Sequence, residues 1–166
     1  MWPEHLLNAP PAVQLPSGYT LRTYRRGDEP RFCEVMGLAG WPVWNEEVLR
    51  PWLSRILPEG WFMAVHEESN EIMGSMAIVE HTQHEAQLRW LLLHPDIRGR
   101  GLGKQLMDEA IAFCQAQNYK SIFLWTEDLL KPAAQLYKSK GFVLTEEKTH
   151  KIWGQELTEQ RYELKL

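Results

Sequence analysis

The chain predicts a mixed α/β fold, a central sheet of six to seven strands flanked by helices on both faces. Three observations carry this expectation. An apolar run of strand length, residues 88–93, is followed after a short glycine-rich loop by Leu102, Leu106, Met107, Ala110, Ile111 and Cys114 at helical spacing. Upstream, residues 61–65 and 72–79 are two strand-like runs joined by the polar stretch Glu67-Glu68-Ser69-Asn70-Glu71, the pattern of an antiparallel hairpin. Downstream, a strand–helix–strand pattern is followed by one more strand.

In order, residues 1–18 carry Pro3, Pro10, Pro11 and Pro16 and read as an extended lead-in to a single domain over 19–166. Residues 19–24 alternate as a first strand. Asp28 is placed to cap a helix running to about Leu38, with Pro30 in its first turn. After the break at Gly40-Trp41-Pro42, Asn45 can cap a second helix over 46–56, and Gly60 ends that region. The helix beginning at Leu102 stops near Asn118. A strand over 121–126 and a helix over 132–140 follow, the helix opened by Pro132 and closed by Gly141. Strands over 142–147 and 157–164 complete the pattern.

With 166 residues, 44% apolar and 24% charged, the chain has the composition of a globular domain with a real core. A net charge of −4 argues against a general nucleic-acid binder, and no apolar stretch reaches the roughly 18 residues of a membrane span. The first residues lack the basic and apolar segments of a secretion signal, and Cys33 and Cys114 lie far apart. Reduced thiols in a cytoplasm are therefore expected. His81 and His84, in a turn region without a cysteine nearby, do not read as a metal centre.

Positive charge is concentrated in the loop itself: Arg98, Gly99, Arg100, Gly101, Leu102, Gly103 and Lys104. Glycines there let backbone N–H groups face outward, at a helix N-terminus whose dipole favours an anion. A phosphate or pyrophosphate is the natural ligand. The spacing differs from both the nucleoside-triphosphate loop and the dinucleotide fingerprint. It resembles the R/Q-x-x-G-x-G/A pyrophosphate loop of the GCN5-related N-acetyltransferases, preceded by Leu93-His94-Pro95-Asp96, like that family's strand end. A second stretch, Ala133-Ala134-Gln135-Leu136-Tyr137-Lys138-Ser139-Lys140-Gly141-Phe142, is similar to the family's A-x-x-LYxxxGF segment.

The resemblance implies transfer of an acetyl or related acyl group from acetyl-CoA, as cosubstrate and without a metal, to a primary amine of a small molecule or peptide, by direct attack in a ternary complex. Carried over residue by residue, it implies that the loop holds the pyrophosphate. It further implies that main-chain groups of Leu91, Leu92 and Leu93 grip the thioester arm, and that Tyr137 is the general acid. The family's usual acidic positions fall on Arg89, Trp90 and Trp125, none of which can serve as a base. Glu127 and Glu80 are the leading substitutes, with Glu85, His81, His84 or water also open. Where the family often has an Asn binding the cofactor arm, this chain has Leu130. A coenzyme A-binding module without catalysis is the alternative those departures leave. Acceptor choice is expected from Trp41, Trp44, Glu46, Glu47 and Trp52 and from His150, Trp153, Gln160 and Tyr162, a lining suited to a cationic amine. The fold also leaves room for a homodimer through sheet edges.

Overall fold

Alternating side chains set the faces of the sheet. In the computed structural model, which describes residues 15–152 and 155–166, seven strands form one mixed sheet. They are β1 (Tyr19–Thr23), β2 (Ile56–His66), β3 (Ile72–Glu80), β4 (Glu85–Leu93), β5 (Ser121–Glu127), β6 (Val143–Ile152) and β7 (Gln155–Lys165). Their spatial order is β1-β2-β3-β4-β5-β7-β6. Every neighbouring pair is antiparallel except β4 and β5, which run parallel. Helices α1 (Glu29–Leu38) and α2 (Glu46–Leu53) cover one face, and α3 (Leu102–Ala116) and α4 (Lys131–Ser139) the other. Along β2, Phe62 and Ala64 join the α3–α4 core, while Trp61, Met63 and Val65 join the α1–α2 core. The expected mixed sheet with helices on both faces is therefore present.

Most boundaries fall within a few residues of the expectation, and the departures have local causes. Asn45 caps α2 as expected, its Oδ1 accepting from the N–H groups of Glu47 and Val48 at 3.0 Å each. Asp28 does not cap α1 with its side chain. Its carboxylate instead takes the Arg22 guanidinium in a two-pronged pair at 2.7 and 2.9 Å, an ionic partner stronger than a backbone amide. Helix α2 stops at Leu53, so Ile56 already belongs to β2, where it pairs with Val79. Gly60 lies inside β2, beside the irregular stretch between Ile56 and Trp61. The last two strands are longer than expected because each finds a ladder partner in the other, from Val143↔Glu163 to Ile152↔Gln155. The expected lead-in over 1–18 falls almost wholly on residues 1–14, outside the described residues, as does Trp153.

The strand that matters most is bent. Opposite β4, Ser75 pairs with Leu92 and Ala77 with Arg89, so Met76 faces two residues, Trp90 and Leu91. Trp90 takes φ +55°, a left-handed conformation that costs a non-glycine residue about 1–2 kcal/mol. Beyond this bulge Leu91 and Leu93 pack with Leu88 on the α3–α4 side, while Leu92 faces the α1–α2 side. Arg89 and Trp90, consecutive in sequence, both lie against Trp52 of α2.

Behind β4, Gly74 of β3 lies so close that an added Cβ would stand 2.8 Å from Leu93 Cδ2 and 2.9 Å from the Leu92 carbonyl oxygen. The second neighbour is backbone and cannot swing aside. Gly74→Ala should therefore lower stability by about 1–3 kcal/mol, read as a drop in the urea midpoint with unchanged slope.

Candidate functional site at the split between two parallel strands

Strands β4 and β5 are hydrogen-bonded only at their first residues, Glu85↔Ser121, Ala86↔Ile122 and Gln87↔Phe123. Past that point the bulge turns β4 aside and the two strands diverge. The β5-facing edge of residues 88–92 is thus left without a strand partner. A cavity of about 450 Å³ occupies the split. Its walls are residues 87–92 of β4 and 124–127 of β5, with Leu130 and Tyr137 on the α4 side and Met36, Trp41 and Trp44 on the α1–α2 side. Met76 from β3, Lys148 from β6 and Glu159 from β7 complete it.

The glycine loop sits at the open end of the split. Pro95–Ile97 forms one 3-10 turn, pinned by buried Ile97, and Arg98 Nε returns a hydrogen bond to the Leu93 carbonyl at 3.2 Å. Gly99 and Gly101 take φ +76° and +88°, and the space where their Cβ atoms would lie is open. Gly103 matters for close packing instead. Its missing Cβ would stand 3.2 Å from Leu93 Cδ1, so the first turn of α3 packs tightly onto the end of β4. Arg98, Arg100 and Lys104 are exposed around an uncovered 15-residue helix N-terminus. Positive-φ glycines and three exposed cations at a helix N-terminus suit a pyrophosphate, and the split between β4 and β5 has room for an extended arm.

Tyr137 lines the cavity from α4 and is 6% exposed. Burial pushes its phenol up to about 12, opposed by a hydrogen bond with Thr126 and assisted by neighbouring Tyr162. It is therefore a protonated donor throughout the physiological range. Thr126 is itself 8% exposed on β5 and also lines the cavity. Glu127 stands at the end of β5 in the cavity wall, directly across from Glu159 of β7. Glu159 pairs with His150 Nε2 at 3.0 Å.

The other expected base positions are elsewhere. Glu80 is exposed at the end of β3, paired in register with Ala86 at the start of β4, and the fold does not bring it to the cavity. Glu85 is held by Arg161 at 2.9 Å and lies 3.6 Å from His81, while exposed His84 sits in the turn before β4. Leu130, where an Asn would bind an arm, is a cavity-wall leucine at 46% exposure. Of the expected acceptor lining, Trp41 and Trp44 reach the cavity; Glu46, Glu47, His150 and Gln160 do not line it. Trp52 instead packs against Trp90, and Tyr162, 1% exposed, belongs to the core beside Tyr137.

Thr126, Glu159 and Arg89 are among the cavity residues that escape the sequence reading as contributors. The first two depend on strand register. Arg89 left a visible signal, a single charge inside the apolar strand 88–93. Its guanidinium is half-buried, 4.1 Å above the Trp52 ring, and burial together with nearby Arg55 lowers its pKa. Among the described residues no group of His, Cys, Asp and Glu is arranged to hold a metal, and no helix is long and apolar enough to cross a membrane.

Comparison with known proteins adds ancestry to this geometry. Residues 21–142 match the model of the acetyltransferase (GNAT) family. An uncharacterized N-acetyltransferase of Schizosaccharomyces pombe is 31% identical over 107 residues, 64% of this chain and 66% of that protein. A mycothiol acetyltransferase of Thermomonospora curvata is 29% identical over 143 residues, 80% of this chain but 46% of its own length. The chain thus spans between about half and two thirds of these relatives. Among solved structures, the ribosomal-protein-S18-alanine N-acetyltransferase of Escherichia coli superposes with a TM-score of 0.77 at 18% identity, over 89% of this chain and 93% of that one. An acetyltransferase of Salmonella typhimurium solved with its cofactor acetyl-CoA gives 0.74 at 17% identity, over 90% and 94%. At these identities the two structures carry the fold.

The raised phenol has a consequence for stability. A tyrosine of unfolded pKa near 10 that titrates at about 12 when folded favours the native state while neutral. That contribution is complete below about pH 10 and is lost as pH rises towards about 12. Unfolding free energy should fall across that window in the wild type, and less steeply in Tyr137→Phe, as measured by urea titration at each pH.

Proposed function

Because the chain belongs to the acetyltransferase (GNAT) family, we propose that it moves an acetyl group from acetyl-CoA to a primary amine by direct attack within a ternary complex. The observation that carries the reading is the split between β4 and β5, with the cationic glycine loop at its mouth and a buried phenol in its wall. The acting unit would be the single domain over 19–166. Arg98, Gly99, Arg100, Gly101, Leu102, Gly103 and Lys104 would cradle the pyrophosphate through backbone N–H groups and side-chain charge.

The pantetheine arm would lie along the free edge of β4, where main-chain groups of Leu91, Leu92 and Leu93 replace the missing strand. An N–H aimed at the thioester oxygen there would stabilise the charge that develops during attack; one such donor is worth about 3 kcal/mol. The acceptor ammonium first gives up a proton, for which Glu127, in the wall and across from Glu159, is the favoured route. The free amine nitrogen then bonds to the carbonyl carbon, the carbon–sulfur bond breaks, and the leaving thiolate takes the Tyr137 proton. The amide nitrogen sheds its second proton as the phenol is restored, so that one proton leaves to solvent per turnover.

Acetyl-CoA should raise the thermal midpoint, by mass action, by the equivalent of about 2.7 kcal/mol at a hundredfold excess over its Kd. The rise should be larger than with ATP and should vanish in the Arg98→Ala/Arg100→Ala variant. Absence of any rise with acetyl-CoA or free CoA would overturn the reading. In an amine screen following thiol release, Tyr137→Phe should keep the acetyl-CoA shift yet lose about a hundredfold or more in kcat. A full acetyl-CoA shift with no turnover of any amine would instead favour a binding module.

A further inference from the structure

Arg89 is a cation set into an otherwise apolar strand. It lines the cavity on the α1–α2 side, where regular pairing with Ala77 puts it, and the bulge sets Trp90 beside it. Its Nε is buried without a hydrogen-bond partner, and no carboxylate among the described residues pairs with its guanidinium. Arg55 approaches the same indole, at 4.8 Å from the Trp52 centroid against 4.1 Å for Arg89. Two guanidinium groups therefore share one ring with no anion between them. The Arg89 guanidinium thus lies over the Trp52 ring, a contact that uses none of its N–H donors. Such a fork, partly dehydrated beside a cavity, is shaped for a carboxylate.

The cavity is also polarised. Glu127 and Glu159 stand across from each other on β5 and β7, next to Lys148 of β6, whose ammonium is drawn to Glu146 at 3.1 Å and to the Trp125 ring at 4.5 Å; Arg89 stands on β4, across the split. An ammonium suits the first wall and a carboxylate the second, with the indoles of Trp41 and Trp44 lining the space on the α1–α2 side. From this we infer that Arg89 is the specificity-determining residue for the acceptor, and that the acceptor is a small amine that also carries a carboxylate, an amino acid in chemical class. The inference rests on the acetyl transfer proposed above. It narrows the expectation of a purely cationic amine, because a polyamine would bring only positive charge to Arg89 and Arg55.

The test measures thiol release from acetyl-CoA with a panel of amino acids, their carboxamides and the corresponding decarboxylated amines. The wild type should prefer the best free acid over its carboxamide and its decarboxylated amine by at least tenfold in kcat/KM. Arg89→Gln should erase that preference by raising KM for the acids, leave kcat within about threefold, and leave the carboxamides nearly unchanged. Arg89→Lys should restore part of the preference. Arg89→Met, which replaces an unpaired buried charge with an apolar chain of similar length, should melt at or above the wild-type temperature, showing that the loss is not one of folding. Equal use of acids and carboxamides, an equal fall for all three classes in Arg89→Gln, or no turnover of any carboxylate-bearing amine would each overturn the assignment. The acetyl-CoA thermal shift separates the two failures: if it persists, only the acceptor assignment falls, and if it is absent, the transferase reading falls with it.

Discussion

The bulge at Trp90 is the constraint on which the site depends. A strand continuing regularly past Gln87 would go on pairing with β5, and there would be no split, no free edge and no cavity. The left-handed residue that prevents this is a tryptophan, whose backbone strain has to be offset. Its ring meets Phe32, Trp44, Trp52 and Trp61 at centroid distances of 5.4 to 5.8 Å. Each such aromatic pair contributes about 0.5–1.5 kcal/mol beyond the area it buries, enough together to hold the bulge. Trp61 is fixed in turn, stacked on Tyr24 and donating from Nε1 to buried Ser75 Oγ at 2.8 Å. Four of the eight tryptophans, Trp44, Trp52, Trp61 and Trp90, thus gather at the one deformed strand.

That deformation is transmitted to both sides of the site. On the α3 side, Leu91 and Leu93 are turned into the main core, and Leu93 fills the gap left by Gly103, locking the loop and the helix N-terminus to the end of β4. On the α1–α2 side, Arg89 and Trp90 share a face that strict alternation would have denied to one of them. The same irregularity therefore fixes how the glycine loop sits against the end of β4 and sets Trp90 beside Arg89 in the cavity wall. Gly74 permits β3 to follow the bent strand closely, so the rest of the sheet is not torn by it.

How much of this the sequence disclosed follows from the range of each interaction. Local signals were legible: the apolar run before the loop, helical spacing after it, glycines that must adopt positive φ, and the cap at Asn45 all act within a few residues. The element order and the sheet with helices on both faces could be read from them. What stayed hidden was register. Glu127 was found by strand alternation, but its partner Glu159 comes from a strand more than 30 positions away, and only the β5–β7 ladder joins them. Glu80 looked equally suitable in sequence, yet it pairs at the start of β4 and so lies at the wrong end of the sheet. Asp28 read as a cap because its competing partner, Arg22, sits on a neighbouring strand. Arg89 reads as a charge where an acid is expected, and its meaning depends on Trp52 and on the split from β5 past Gln87, neither of which is local to it in sequence.

Proton traffic in the proposed reaction is constrained by the same placement. A phenol pushed up to about 12 by burial is already protonated and so cannot remove a proton from an ammonium; the proton it would give the thiolate is returned by the amide nitrogen. Thr126 lowers that phenol's pKa from β5, the strand that also carries Glu127. The acid's neighbour and the candidate base are thus consecutive residues of one strand. Arg89 sits on the other strand of the split, where a fixed positive charge would oppose an ammonium entering in reverse. An acceptor with charge of both signs would be oriented by that opposition before any specific contact forms, its amine toward the carboxylates and its anionic end toward the guanidinium. Orientation of this kind converts binding into a near-attack geometry, which is where much of the rate of a two-substrate transfer originates. The bent strand would therefore supply both the edge that grips one substrate and the charge that aligns the other.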